Sequence, residues 1–130
     1  ENPIYARRDV TGDGKPETWC NLFVHNLTKK MECPVPFLLA NQQFIWLGGI
    51  DGVAAGWTQV DAKVAGEKAE EGFPVVAAWF NQGGHGHIAM VVPAIGGTGL
   101  HIAQAGSHNY TNVPIAKGFG SLLPRFYLHS

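Results

Sequence analysis

The chain has 130 residues, of which 45% are hydrophobic, and a formal net charge of −1. That length suits one domain with a true core and is too short for two, and the near-neutral charge leaves no electrostatic footprint for nucleic acid or an anionic membrane surface. No run approaches a membrane span, and Glu1-Asn2-Pro3-Ile4 lacks the basic start and apolar middle of a signal peptide, which predicts a soluble chain, either mature or an excised domain.

Residues 1 to 19 read as an irregular arm. Asp9-x-Thr11-x-Asp13-Gly14-x-x-Glu17 places oxygen donors at alternate positions around a glycine bend, the pattern of a calcium loop, with Asp9, Thr11, Asp13 and Glu17 as candidate ligands. The other reading is an Asp/Gly-rich turn that caps the following helix. Thr18 is a candidate N-cap, and Cys20, Val24, Leu27 and Met31 recur at helical spacing on one stripe. Cys20 then falls in a first helical turn, where unpaired N–H groups and the helix dipole favour the thiolate and leave donors for an oxyanion. Cys33 sits about three helical turns from Cys20, roughly 15 Å or more at ~1.5 Å per residue. A disulfide needs Cα atoms within about 7 Å, which argues against that pair.

Pro34-Val35-Pro36 ends this unit. Phe37 to Leu47 predicts a second, mostly buried helix with Asn41, Gln42 and Gln43 on one side, stopped by Gly48-Gly49. Gly48 to Gly56 reads as a loop, Trp57 to Val60 as a short extended entry, and Asp61 to Glu71 as a surface helix closed by Gly72. The period then changes to that of strands at 74–80, 87–92 and 100–105, with a closing strand at 125–129 after a loop from Ser107 to Leu123. Helices first and an antiparallel meander second predict a single α+β domain over residues 1–130, with the helices on one face of the sheet.

A thiolate needs a base. His25 is five positions from Cys20 and on another helix face; His85, His108 and His129 lie in loops or at the end; His101 alternates away from Gln104. His87 starts a strand directly after Gly86, and small Ala89 beside it lets a helix approach closely, which predicts that His87 and Gln104 lie on the sheet face that the Cys20 helix covers and makes His87 the best partner for Cys20. Gln104, the polar member of its face on the next strand, is the candidate to orient the imidazole, and Asn109 in the following loop is the alternative.

Thr18-Trp19-Cys20-Asn21-Leu22-Phe23-Val24, Gly86-His87-Ile88-Ala89-Met90-Val91 and Ile102-Ala103-Gln104-Ala105-Gly106 together resemble the CHAP and NlpC/P60 amidases, papain-like cysteine hydrolases of bacterial cell walls. The order of Cys helix, His strand and polar strand matches over roughly residues 9 to 110. The resemblance implies hydrolysis of an amide in the peptidoglycan stem or cross-bridge through a Cys20 thioester, with Cys20, His87 and Gln104 as catalytic residues and no cofactor in the chemistry. Some CHAP relatives also hold structural calcium just before the cysteine, where Asp9, Thr11, Asp13 and Glu17 stand here. It further implies a monomer of bacterial or phage origin, secreted or at the cell wall, acting on peptidoglycan peptides, with an immunity or inhibitor protein as partner for a delivered toxin. Trp19 stands where CHAP members tend to have Gln, and Gln104 where His, Glu or Asn is common. Two other readings share these residues. One is a catalytically silent cell-wall-binding module whose cleft has Trp19, Trp57 and Trp79 as aromatic walls, with Asn109 a further substrate contact; the other is a protein-directed cysteine protease.

Overall fold

Val75-Val76-Ala77-Ala78 carries no polar side chain, so a strand made from it has to bury both faces. The computed structural model, which describes residues 20–94, 99–105 and 110–130, places that run in β2 (Val75–Trp79), with all four residues buried. Among the described residues the sheet has five further strands: β1 (Trp57–Val60), β3 (His87–Val92), β4 (His101–Gln104), β5 (Tyr110–Pro114) and β6 (Arg125–His129). Their spatial order is β1-β6-β2-β3-β4-β5, with every pairing antiparallel. Strands β2 to β4 form the predicted meander, β5 extends it at the edge, and β6 inserts between β1 and β2.

The helices are α1 (Cys20–Lys30), α2 (Ala40–Gly48), α3 (Ile50–Ala54), α4 (Ala62–Glu70) and α5 (Ile115–Phe119). The α+β class agrees with the sequence, but the helices cover both faces of the sheet rather than one. On the first face Val76, Ala78, Ile88 and Met90 pack against Cys20 and Val24 of α1 and against Leu47 of α2. On the second, Ala77, Ala89, Val91 and Ile102 pack against Ala65 and Ala69 of α4 and Phe119 of α5. Ala77 and Ala89 are register partners, so the small pair lies under the small residues of α4 and lets that helix sit close. Each large side chain fully buried in these layers contributes about 1.5–3 kcal/mol.

Local chemistry explains the element boundaries. Asp61 caps α4, its side chain accepting the Val64 N–H at 2.8 Å, and Gly72 follows the helix at φ +92. The second helix begins at Ala40, three residues later than expected. Leu39 is extended (φ −63, ψ 153) and its N–H is held by Gln42 Oε1 at 3.1 Å, so the polar side chain of the first turn sets the start. The predicted loop at 48–56 contains α3, because Gly52 lets the chain fold back against the Trp46 and Leu47 carbonyls where any Cβ would collide. The predicted loop at 107–123 contains β5 and α5. Both cysteines are free, as expected. Among the described residues no helix is long and apolar enough to cross a membrane.

Candidate active site

Thr18 lies outside the described residues, and Cys20 opens α1 as described. The stripe that carries Cys20 and Val24 faces the sheet, which leaves Cys20 only 5% exposed. Burial pushes its thiol above the ordinary value of 9.0, while the backbone N–H groups of Ile88, Asn21 and Cys20 itself pull the other way. The helix start therefore aims donors at the sulfur as the sequence suggests, but in this setting desolvation outweighs them. A charge partner is needed for the thiolate.

His87 is the first residue of β3, and its Nε2 meets Gln104 Oε1 at 2.8 Å. An amide oxygen only accepts, so Nε2 carries the proton and the lone pair is left on Nδ1, which makes no hydrogen bond among the described residues. The ring stands edge-on to Phe119 of α5, with centroids 4.6 Å apart and planes at 62°. Burial lowers the pKa of His87 from its ordinary 6.5, and the bond from Gln104 partly opposes this. Gln104 is 4% exposed, so the pair is largely dry.

One expectation is corrected here. His87 and Gln104 do not lie on the face that α1 covers. Side chains alternate along β3, so α1 packs on Ile88 and Met90, while His87 and Gln104 belong to the α5 face with Ala89 and Ile102. The Cys20 sulfur approaches β3 at the Ile88 N–H, one residue from His87. Because His87 is terminal in its strand, the two groups come to the end of β3 from opposite sides of the sheet.

Trp57 is also corrected. At 1% exposure it belongs to the core on the Cys20 face, set edge-on to His129 at 5.4 Å at the β1 edge of the sheet, and it offers no wall to a ligand. Trp79 is half-buried, paired in register with His87 and packed on the α4 and α5 face. Trp19, Asn109, Asp9, Thr11, Asp13 and Glu17 lie outside the described residues. Among the described residues no group of three or more His, Cys, Asp or Glu is placed to hold a metal ion. Three other histidines are engaged in bonds of their own: His25 Nδ1 with the Val35 carbonyl at 2.7 Å, His101 Nδ1 with Asn112 Oδ1 at 2.6 Å, and His129 Nε2 with the Ala55 carbonyl at 2.9 Å.

Phe119 and Gly118 were not signalled by the sequence. They sit on a five-residue helix too short to show a period, inside a stretch that reads as loop. Neither a scan against protein-family models nor a search of the curated proteins found a match to this chain.

Proposed function

We propose that this chain is a papain-like cysteine amidase of the CHAP and NlpC/P60 kind, cutting an amide of the peptidoglycan stem peptide or cross-bridge. The observation that carries the reading is the His87–Gln104 bond of 2.8 Å, which fixes the imidazole tautomer and leaves Nδ1 basic on the residue before Ile88, whose N–H the Cys20 sulfur meets. Cys20 gives its proton to Nδ1, and the thiolate attacks the carbonyl carbon. The oxyanion that forms takes donors from the first turn of α1. Imidazolium then protonates the leaving amine as the C–N bond breaks, leaving a thioester. His87 next takes a proton from water, whose oxygen displaces the sulfur and releases the acid. Catalytic hydrogen bonds of this kind tighten when substrate binds. The setting that fits is a secreted or cell-wall enzyme.

A second reading has one observation in its favour. A cysteine that is 5% exposed and pushed toward the neutral thiol is what an inert structural residue looks like, so a silent binding module of the same fold is the competitor. Digesting purified cell wall with the wild-type protein and with Cys20→Ala separates them. New muropeptide termini by mass analysis with the first protein alone support the amidase, and none with either supports the binding module.

A further inference from the structure

Amide side chains turned into a protein interior are costly unless their donors find partners, and of the three amides on α2 two, Asn41 and Gln43, point inward. Asn41 Oδ1 accepts the Asn81 N–H at 2.9 Å, and its Nδ2 donates to the carbonyls of Asn81 and Gly84 at 2.8 and 2.9 Å. All three partners are backbone groups of the loop from β2 to β3, which runs directly into His87. That loop holds Gly83, Gly84 and Gly86, a composition with wide backbone freedom when nothing anchors it. Asn81 tightens it from within, donating to the His85 carbonyl and accepting the Gly83 N–H. Gly86 lies so close to Asn41 Oδ1 that a Cβ would collide with it.

Two residues further along α2, Gln43 is fully buried and its Nε2 donates to the carbonyls of Asn21 and Pro36, both at 3.0 Å. Asn21 directly follows Cys20, and its own side chain donates to the Leu38 carbonyl at 2.9 Å. Residues two apart on a helix point roughly 200° apart, so the two amides reach opposite neighbours.

We infer that Asn41 is a positioning residue for His87 and Gln43 one for Cys20, so that α2 is a single brace setting the nucleophile and the base relative to each other. This rests on the catalytic reading above. Neither residue touches substrate; each acts through the backbone it holds. A displacement of the order of 1 Å in such a pair costs about 100-fold in rate.

The test compares wild type, Asn41→Ala, Asn41→Asp and Gln42→Ala by hydrolysis kinetics and by the rate at which iodoacetamide labels Cys20. Asn41→Asp keeps the acceptor for the Asn81 N–H but turns a carboxylate oxygen toward two carbonyls; Gln42→Ala disturbs the same helix without touching the loop. Both Asn41 variants are expected to lose kcat by about 100-fold with KM little changed and to label more slowly, while Gln42→Ala keeps the wild-type values. Folded Asn41 variants with wild-type kcat and labelling overturn the brace and leave the amidase standing. A wild-type protein that neither hydrolyses cell wall nor labels faster at Cys20 than a free thiol overturns the amidase and the brace with it. If Asn41→Ala does not fold, Asn41→Asp, which keeps the side chain's size, carries the test; Gly86→Ala does not serve, because its Cβ would also meet the Trp79 carbonyl. Failure of both to fold makes the contact a folding element and overturns the positioning role.

Discussion

Gly118 of α5 abuts the side-chain oxygen of Gln104 so closely that a Cβ at that position would overlap it, and would crowd Ile102 as well. The glycine is thus the space into which the orienting amide of His87 fits. Gly118→Ala is expected to push Gln104 off the imidazole and to lower kcat as Gln104→Ala does, by roughly 10- to 1000-fold, because the residue positions the ring and transfers no proton. Overpacking should also cost about 1–3 kcal/mol in a denaturant melt. Combining the two substitutions should lose little more than either alone, because both remove one contact.

Cys20→Ala should abolish cell-wall hydrolysis with the fold intact by circular dichroism, and Cys33→Ala should leave hydrolysis unchanged. His87→Ala should lose about as much rate as Cys20→Ala, since the members of a catalytic unit are not additive. Full activity in Cys20→Ala would remove Cys20 as the nucleophile and end the cysteine-amidase account.

The buried site predicts how stability depends on pH. His87 is held below its ordinary 6.5 by burial, so the unfolded chain takes up the proton first as pH falls, and stability is lost from about 6.5 downward until the folded form is protonated as well. Cys20 and Cys33 are both pushed above 9.0 by burial, so the unfolded chain loses those protons first and stability falls again as pH rises past 9.0. Each group contributes at most about 1.4 kcal/mol per pH unit. Denaturant melts across pH should show a plateau between these limits, and His87→Gln should flatten the acid side if this histidine is its source. An acid limb identical in wild type and His87→Gln assigns it elsewhere.

Much of the frame could be read from particular residues. Asp61 and Gly72 bracket α4 as a cap and a stop should, and the apolar runs at 75–79 and 87–92 are strands because β-branched residues and alanine lie between Gly- and Pro-rich turns. The order of helices before strands suggests one covered face, but the four consecutive apolar residues Val75-Val76-Ala77-Ala78 leave no side for water and require helices on both. His87 and Gln104 accordingly belong to the α5 face and not to that of α1. The pairing of His87 with Gln104 holds on either face, since alternation on adjacent strands depends on register and not on which helix lies above. Trp57 fits a cleft and a core equally well in sequence, since a large aromatic serves both, and its burial decides for the core. Helix α3 and strand β5 escaped because a glycine-rich turn and a short run ending in Pro114 carry too few residues to show a period.

The N-terminal acids give a further test. With calcium bound by Asp9, Asp13 and Glu17, the melting midpoint should rise on adding calcium and fall with chelator, the folded state gaining about 2.7 kcal/mol at a hundredfold excess over Kd. Cell-wall hydrolysis should follow only through ordering of the approach to Cys20. An unmoved midpoint with unchanged activity leaves these acids as turn and cap residues.

In the proposed mechanism Cys20 gives its proton to His87, and the pH dependence of Cys20 labelling reads that transfer. In a Cys33→Ala background, iodoacetamide labelling of Cys20 should already be fast near neutral pH, because the unprotonated His87, held below 6.5 by burial, takes the thiol proton as the sulfur attacks. In His87→Ala the same curve should collapse to one ionisation above 9.0, the direction in which burial alone drives the thiol. Superimposable curves for the two proteins, both rising only above 9.0, would contradict the account.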